Sequence, residues 1–234
     1  MKNLAFLAFT FLLVSVANAA VINEIRIDQP GADNDEYFEL FGTPGESLDS
    51  LTYLVIGDGA SGSGTIESVT SLAGLSFGAT NYFVAAESTF TLGTADFTTS
   101  SLNFENGDNV THLLVSDFTG ANGDDLDTDD DGTLDVTPWS SVSDAVSLVE
   151  DPMGGDQFYG STLGGSDIGP SGTFVPAHVY RSPDGGAFAI GEFDPVGGFD
   201  TPGGPNPVAV PEPSTMIGLA ALVGGVAYRR RRRS

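Results

Sequence analysis

Short runs in which apolar and polar residues alternate, each closed off by Gly, Asp, Asn, Ser or Thr, recur along this chain and restrict its fold more than any other feature. VINEIRI, YFELF, LTYLVIG, NYFVAAE, VTHLLVSDF and DAVSLVE follow a period of two, the signature of strands whose side chains point alternately to opposite faces. In the first run the alternation places Val21, Asn23, Ile25 and Ile27 on one face and Ile22, Glu24 and Arg26 on the other. Helical periodicity is visible only in the two terminal segments. Short strands joined by turns predict an all-β domain built as an antiparallel sandwich.

The terminal segments read as export machinery. MKNLAFLAFTFLLVSVANAA carries one lysine, an apolar stretch from Leu4 to Val16 and the triplet Ala17-Asn18-Ala19. This is the pattern of a secretory signal peptide over residues 1–19, cut by signal peptidase between Ala19 and Ala20. At the other end, Met216 to Tyr228 gives thirteen uncharged residues before Arg229–Arg233. Thirteen is short of the ~20 that a membrane-crossing helix needs, and arginines beside a span resist translocation. The expectation is a short C-terminal transmembrane helix, a transient anchor with its arginines in the cytoplasm and the domain presented outward.

The part between the two ends is acidic and free of cysteine. Between Ala20 and Val210 thirty-one acids face only Arg26 and Arg181, a formal charge of −29. Such a surface repels nucleic acid, which needs Lys and Arg to displace its counterions. It repels anionic lipid and polysaccharide as well, and attracts divalent cations. Without disulfides the domain must stand on its apolar core, and roughly 190 residues with sixteen Phe in the chain suffice for one. One domain is expected over residues 20–207, with an acidic insertion at about 120–137.

Val210-Pro211-Glu212-Pro213-Ser214-Thr215, followed by the apolar segment 214–228 and the arginine cluster 229–233, closely resembles the PEP-CTERM sorting signal of Gram-negative bacteria. The resemblance covers 208–234 and implies that an exosortase, a membrane-embedded transpeptidase-like enzyme, recognises Pro211, Glu212 and Pro213 and removes the tail. It implies an inner-membrane intermediate, then release to the cell surface or an extracellular matrix.

Val21-Ile22-Asn23-Glu24-Ile25, Asp35-Glu36-Tyr37-Phe38-Glu39-Leu40 and Asp200-Thr201-Pro202-Gly203-Gly204-Pro205-Asn206 resemble the lamin-tail domain, a small immunoglobulin-like antiparallel β-sandwich. LNFENGDNVTHLLV resembles that family's central hairpin. The chain departs from the family in carrying Tyr53 where a tryptophan is common, and in the acidic loop between His112 and Ser147.

Little of the sequence points to catalysis. His112 is a lone histidine in the alternating run VTHLLV and His178 another in VPAHVYRSPDG, there is no Gly-x-Ser-x-Gly elbow, and a cysteine nucleophile is excluded. GASGSGTIES has the glycines of a phosphate loop but no lysine. Asn109-Val110-Thr111 has the form of a glycosylation acceptor within a strand.

Asp127-Thr128-Asp129-Asp130-Asp131-Gly132-Thr133-Leu134-Asp135 stands above this background. Asp124, Asp125, Asp127, Asp129, Asp130, Asp131 and Asp135 put seven carboxylates within twelve residues. Oxygen ligands at alternate positions, a glycine for the turn and an apolar residue two places later are parts of a Ca²⁺ loop. The expected ligands are Asp127, Asp129 and Asp131 by their side chains, Thr133 by its carbonyl, and Asp135 directly or through water. Gly132 makes the turn and Leu134 points to the core. Pro138 stands at the twelfth position instead of glutamate, so the loop is not an EF-hand and resembles the shorter aspartate loops of thrombospondin type 3 and dockerin modules.

Two functional classes follow. The first is a noncatalytic surface or matrix protein, not an enzyme, that binds calcium and an exopolysaccharide or surface partner. The second is a secreted hydrolase of polysaccharides or phosphodiesters whose site the sequence does not display.

Overall fold

The computed structural model describes residues 19–59, 61–100, 102–197 and 200–208. The signal peptide up to Asn18, the motif Pro211–Pro213, the apolar segment 214–228 and Arg229–Arg233 lie outside the described residues. Among those described, no helix is long and apolar enough to cross a membrane. Ala19 is exposed, whereas Ala20 is already buried in the core.

Eleven strands are described: β1 (Val21–Arg26), β2 (Tyr37–Phe41), β3 (Leu51–Gly57), β4 (Thr65–Ser71), β5 (Tyr82–Glu87), β6 (Phe97–Thr99), β7 (Val110–Ser116), β8 (Ser141–Leu148), β9 (Ser166–Ile168), β10 (His178–Ser182) and β11 (Ala187–Ile190). One sheet runs β11-β10-β1-β2-β5-β6 and the other β4-β3-β7-β8-β9. A single 3₁₀ turn, Pro195–Gly197, is the helical content among the described residues. The expected sandwich is therefore all-β.

It is not wholly antiparallel. β6 pairs parallel to β5 and β9 pairs parallel to β8, so both sheets are mixed. In each case the connection crosses the outer face of its sheet instead of turning back as a hairpin. The β5–β6 connection lays Phe90 and Leu92 over Tyr37 and Val84. The β8–β9 connection lays Tyr159 over Leu54, Leu113 and Ala145. A crossing segment returns the chain in its original direction, which gives parallel pairing.

The faces expected for β1 also need correction. Its register against β2 shifts between Ile22 and Glu24, a β-bulge at Asn23. The extra residue reverses the alternation, so Ile22 joins Ile25 and Ile27 in the core between the sheets, while Glu24 and Arg26 share the opposite face. The core is closed from the second sheet by Tyr53, Val55, Leu114, Val146 and Leu148. Tyr53 stacks flat on Phe38, with ring centroids 3.7 Å apart. At roughly 1.5–3 kcal/mol for each fully buried large apolar side chain, this layer supplies the dominant stabilising term.

The hairpin expected in LNFENGDNVTHLLV does not form. Residues 102–109 are a loop that buries Leu102 and Phe104, and the Phe104 N–H donates to the Glu36 carboxylate (3.0 Å).

The acidic insertion lies between β7 and β8 and covers an edge as well as a face. Ile66 N–H donates to Asp124 O (2.9 Å), Gly123 N–H to Ile66 O (2.7 Å) and Leu126 N–H to Gly64 O (3.0 Å). The insertion thus pairs with the free edge of β4, the kind of exposed ladder that sheets must protect. Leu126 is buried against Ile66 and Leu113. With both faces covered, β3 and β7 are buried almost throughout.

Candidate functional site

The loop from Asp127 to Asp135 folds around Asp127, which is fully buried. Its carboxylate accepts from Asp131 N–H (3.1 Å), Gly132 N–H (2.9 Å) and Tyr159 O–H (2.8 Å). Asp130 and Gly132 adopt positive φ, 55° and 85°, turning the chain tightly enough for the two N–H groups to converge. Asp135 Oδ2 accepts from Thr128 N–H (3.0 Å) and Thr128 O–H (2.6 Å). Leu134 is half-buried against the cluster that holds Leu126.

This geometry brings one oxygen each from Asp127, Asp129 and Asp135 within 4.8 Å of one another. Asp131 is not in that group: its Oδ1 accepts from Thr133 N–H (2.8 Å) in a local turn. The Asp129 carboxyl is fully exposed, and the charges of Asp131, Asp135 and Asp127 raise its pKa. Three donors occupy Asp127 and two occupy Asp135, out of about four lone-pair sites on each carboxylate. Each retains an acceptor position, and Asp129 offers a further carboxylate, so the trio suits a hard cation that accepts loose oxygen geometry.

A second acidic group was not singled out from the sequence. Asp58, Glu67 and Glu105 bring oxygens within 4.8 Å of one another. Burial, reinforced by Glu105 and Asp58, pushes Glu67 up to about 7, and burial together with Asp58 and Glu105 pushes Asp108 up to about 8. These residues come from the ends of β3 and β4 and the loop before β7. Spacing along the chain does not reveal such a group, because only the β3–β4 and β3–β7 pairings bring its members together.

The residues that carry the lamin-tail resemblance meet in one buried polar network on the outer face of the first sheet. The bulge turns Glu24 toward His178, whose Nε2 lies 2.8 Å from Glu24 Oε1. Thr201 donates to Glu24 through N–H (3.0 Å) and O–H (3.2 Å). Glu39 accepts from Asn23 Nδ2 (2.8 Å) and Gly203 N–H (2.6 Å), and Asn206 Nδ2 donates to Asn23 O (3.2 Å). Arg26 donates through Nε and Nη2 to the Asp200 carboxylate (2.5 and 2.6 Å). The segment from Asp200 to Asn206 is thereby clasped onto β1 and β2.

Glu24, His178 and Asp200 lie close enough to hold an ion, but their oxygens are already engaged by Arg26 and Thr201. Burial also pushes Glu39 up to about 8 despite its two N–H donors. His112 is buried between the sheets, with Nδ1 2.8 Å from Tyr53 O–H, and burial drives its pKa down to about 3.

The two arginines among the described residues are both paired. Arg26 is paired with Asp200, and Arg181 is paired with Asp144 (2.8 Å) while stacking over Phe188. Neither arginine therefore relieves the acidic surface. Asn109 is buried and donates to Asp151 O and Asp156 O while accepting from Glu150 and Asp151 N–H, which leaves no amide free for a glycan.

Beyond the clasp, residues 209–233 match the family described as the PEP-CTERM protein-sorting motif. No curated protein and no solved structure matches this chain, and no family match extends over the lamin-tail resemblance. The C-terminal segment, which begins three residues after the buried Asn206, is similar to the signal of exported proteins that pass through the membrane to the cell surface and are processed by an exosortase.

Proposed function

We propose that this chain is a noncatalytic, calcium-binding protein of the cell surface or extracellular matrix, built on a lamin-tail-like sandwich and freed from its membrane intermediate by an exosortase. The observation that carries the calcium reading is the convergence of Asp127, Asp129 and Asp135 on a surface where the two arginines of the described residues are already paired with Asp200 and Asp144. The clasp supports the sandwich assignment, because it gives Asn23, Glu24, Glu39, Thr201 and Asn206 one shared structural task. Asp131 helps to shape the loop by accepting from Thr133 N–H.

An extracellular aspartate loop of this kind binds with Kd on the order of 10⁻⁴ to 10⁻³ M. Calcium at ten times Kd adds about 1.4 kcal/mol by mass action, a rise of roughly 3–5 °C in Tm for a domain of this size. Asp129→Asn combined with Asp135→Asn keeps the Thr128 cap and should abolish the rise measured between chelator and millimolar calcium. An equal response in wild type and variant would reduce the effect to diffuse screening and remove the site. Intact-mass measurement of chain released by the native host should give a product starting at Ala20 and lacking Arg229–Arg233. Retention of the arginines on the extracellular form would overturn the processing.

A further inference from the structure

One cleft in the domain lies outside the calcium loop and the second acidic group and borders the clasp through Arg26. It encloses about 370 Å³ and its lining includes Asp28, Asn106, Ser171, Phe174, Val175 and Phe193. Phe174 and Phe193 are 70% and 49% exposed, although the sandwich buries other large aromatics such as Phe38, Phe83 and Tyr53 completely or nearly so. The volume falls in the range of about 300–1,000 Å³ usual for small-molecule sites.

The walls are held in place by the fold. Arg26 Nη1 donates to both Asp28 O (2.8 Å) and Phe193 O (2.9 Å), so one buried guanidinium ties two sides of the cleft together. Asn106 Nδ2 donates to Asp33 Oδ2 (3.2 Å), which leaves its carbonyl and second N–H available. Phe174 is presented by a tight turn in which Ser171 N–H donates to Phe174 O (2.9 Å) and Phe174 N–H to Ser171 O (3.2 Å). Tied walls lower the ordering cost of binding.

We propose that this cleft binds a pyranose unit of a saccharide that carries no acidic groups. The ring's apolar C–H face would lie on Phe174 and Phe193, and its hydroxyls would meet the Asp28 carboxylate, the free Asn106 amide atoms and the Ser171 hydroxyl. Charge decides against the other aromatic-seeking ligands. The lining contains no cation, and Asp33, Glu105 and Asp108 stand beside Asp28 or Asn106 in the chain or by contact. A nucleotide, a fatty acid, an anionic bilayer or a uronic-acid polymer would each bring negative charge to this acidic end without a partner. A hydroxyl-rich neutral ring brings none and supplies the donors that a carboxylate accepts. This inference rests on the reading of the protein as noncatalytic, but it does not depend on the calcium site.

The test is native affinity electrophoresis of the processed chain in gels containing soluble β-glucan, galactomannan, dextran or alginate, each with calcium and with chelator. Retardation by at least one of the first three and none by alginate is expected. Phe174→Ala and Phe193→Ala should each weaken that retardation at least tenfold, and Met153→Ala, an exposed apolar residue outside the cleft, should leave it unchanged. Phe174 is largely exposed, so its variant keeps the wild-type melting temperature and separates lost binding from lost folding. Absence of retardation by all the nonacidic glycans overturns the proposal, as does preference for alginate or equal retardation of wild type and both phenylalanine variants. Sedimentation showing a dimer that Phe174→Ala dissociates would assign the cleft to a second copy instead. Loss of the calcium effect on Tm with glycan binding intact would refute the calcium reading alone.

Discussion

Replacing Arg26 by methionine should be among the most damaging single changes to this domain. The guanidinium makes five hydrogen bonds: two to the Asp200 carboxylate, and one each to Asp28 O, Phe193 O and Glu192 O (3.1 Å). Arg26 and Asp200 side chains are almost completely buried. Methionine fills most of the volume but leaves the carboxylate without its cation, a loss of about 3–5 kcal/mol for a buried pair. Domains of this size hold only about 5–15 kcal/mol in total. With a urea dependence of about 2 kcal/mol/M, a 4 kcal/mol loss moves the unfolding midpoint about 2 M lower. Adding Asp200→Leu removes the stranded charge and should restore about 2 kcal/mol or more, a coupling that a double-mutant cycle reads directly. In Arg26→Met alone, chymotrypsin should cut at Phe193 under conditions where the wild type resists, because the clasp opens before the sandwich does. A midpoint within about 0.3 M of wild type, or a double variant that loses the sum of the two single losses, would refute the clasp as a determinant of stability.

Two further outcomes follow from burial. Glu36 and Glu39 are both held near 8 by burial instead of the ordinary 4.5, so above pH 4.5 the unfolded chain releases protons that the folded chain keeps, and stability falls as pH rises toward 8. Glu67 and Asp108, raised in the same way, add to this trend; below pH 6.5 the unfolded chain protonates His112, whereas the folded chain, with that pKa near 3, does not, and this single proton opposes the carboxyls without outweighing them. Urea midpoints should therefore decline from about pH 5 to pH 8, and Glu36→Gln should flatten the decline by less than the full ~1.4 kcal/mol per pH unit of one proton, because water partly screens that carboxyl; midpoints that climb from pH 5 to pH 8 would contradict the assignment. Gly165→Ala should cost about 3 kcal/mol or more in thermal or urea unfolding, because a Cβ there would stand 1.9 Å from the backbone oxygen of Ala145 in β8; a wild-type midpoint would show that the β8–β9 crossing is not packed as described.

The alternating runs and the turn residues between them determined the all-β class, because period two is a property of the backbone that any one strand displays. Six strands were legible in this way. β4 was not, since TIESVTS offers few apolar residues to mark its buried side, and β6 and β9 were not, since three residues carry no period. The sorting signal, too, was legible from local order alone, as its proline–glutamate–proline, apolar segment and arginines act in linear sequence. Within the acidic loop the glycine at the turn and the apolar Leu134 could be read from position. Which carboxylates face one another could not: backbone N–H groups compete for Asp127 and Asp131, and that competition is settled only when Tyr159 and the edge of β4 close over the loop.

Tertiary structure alone decided the rest. One bulge at Asn23 reversed the faces of β1 and placed Glu24 and Arg26 against a segment some 175 residues away. Two crossings of the outer faces made the edge pairs parallel. The Asp58, Glu67 and Glu105 group and the cleft between Phe174 and Phe193 arise where separate loops meet at the end of the sandwich. A sequence shows the period of each element, but the side on which an element lies, and what lies across from it, are fixed by long-range pairing and by where buried charge finds a partner.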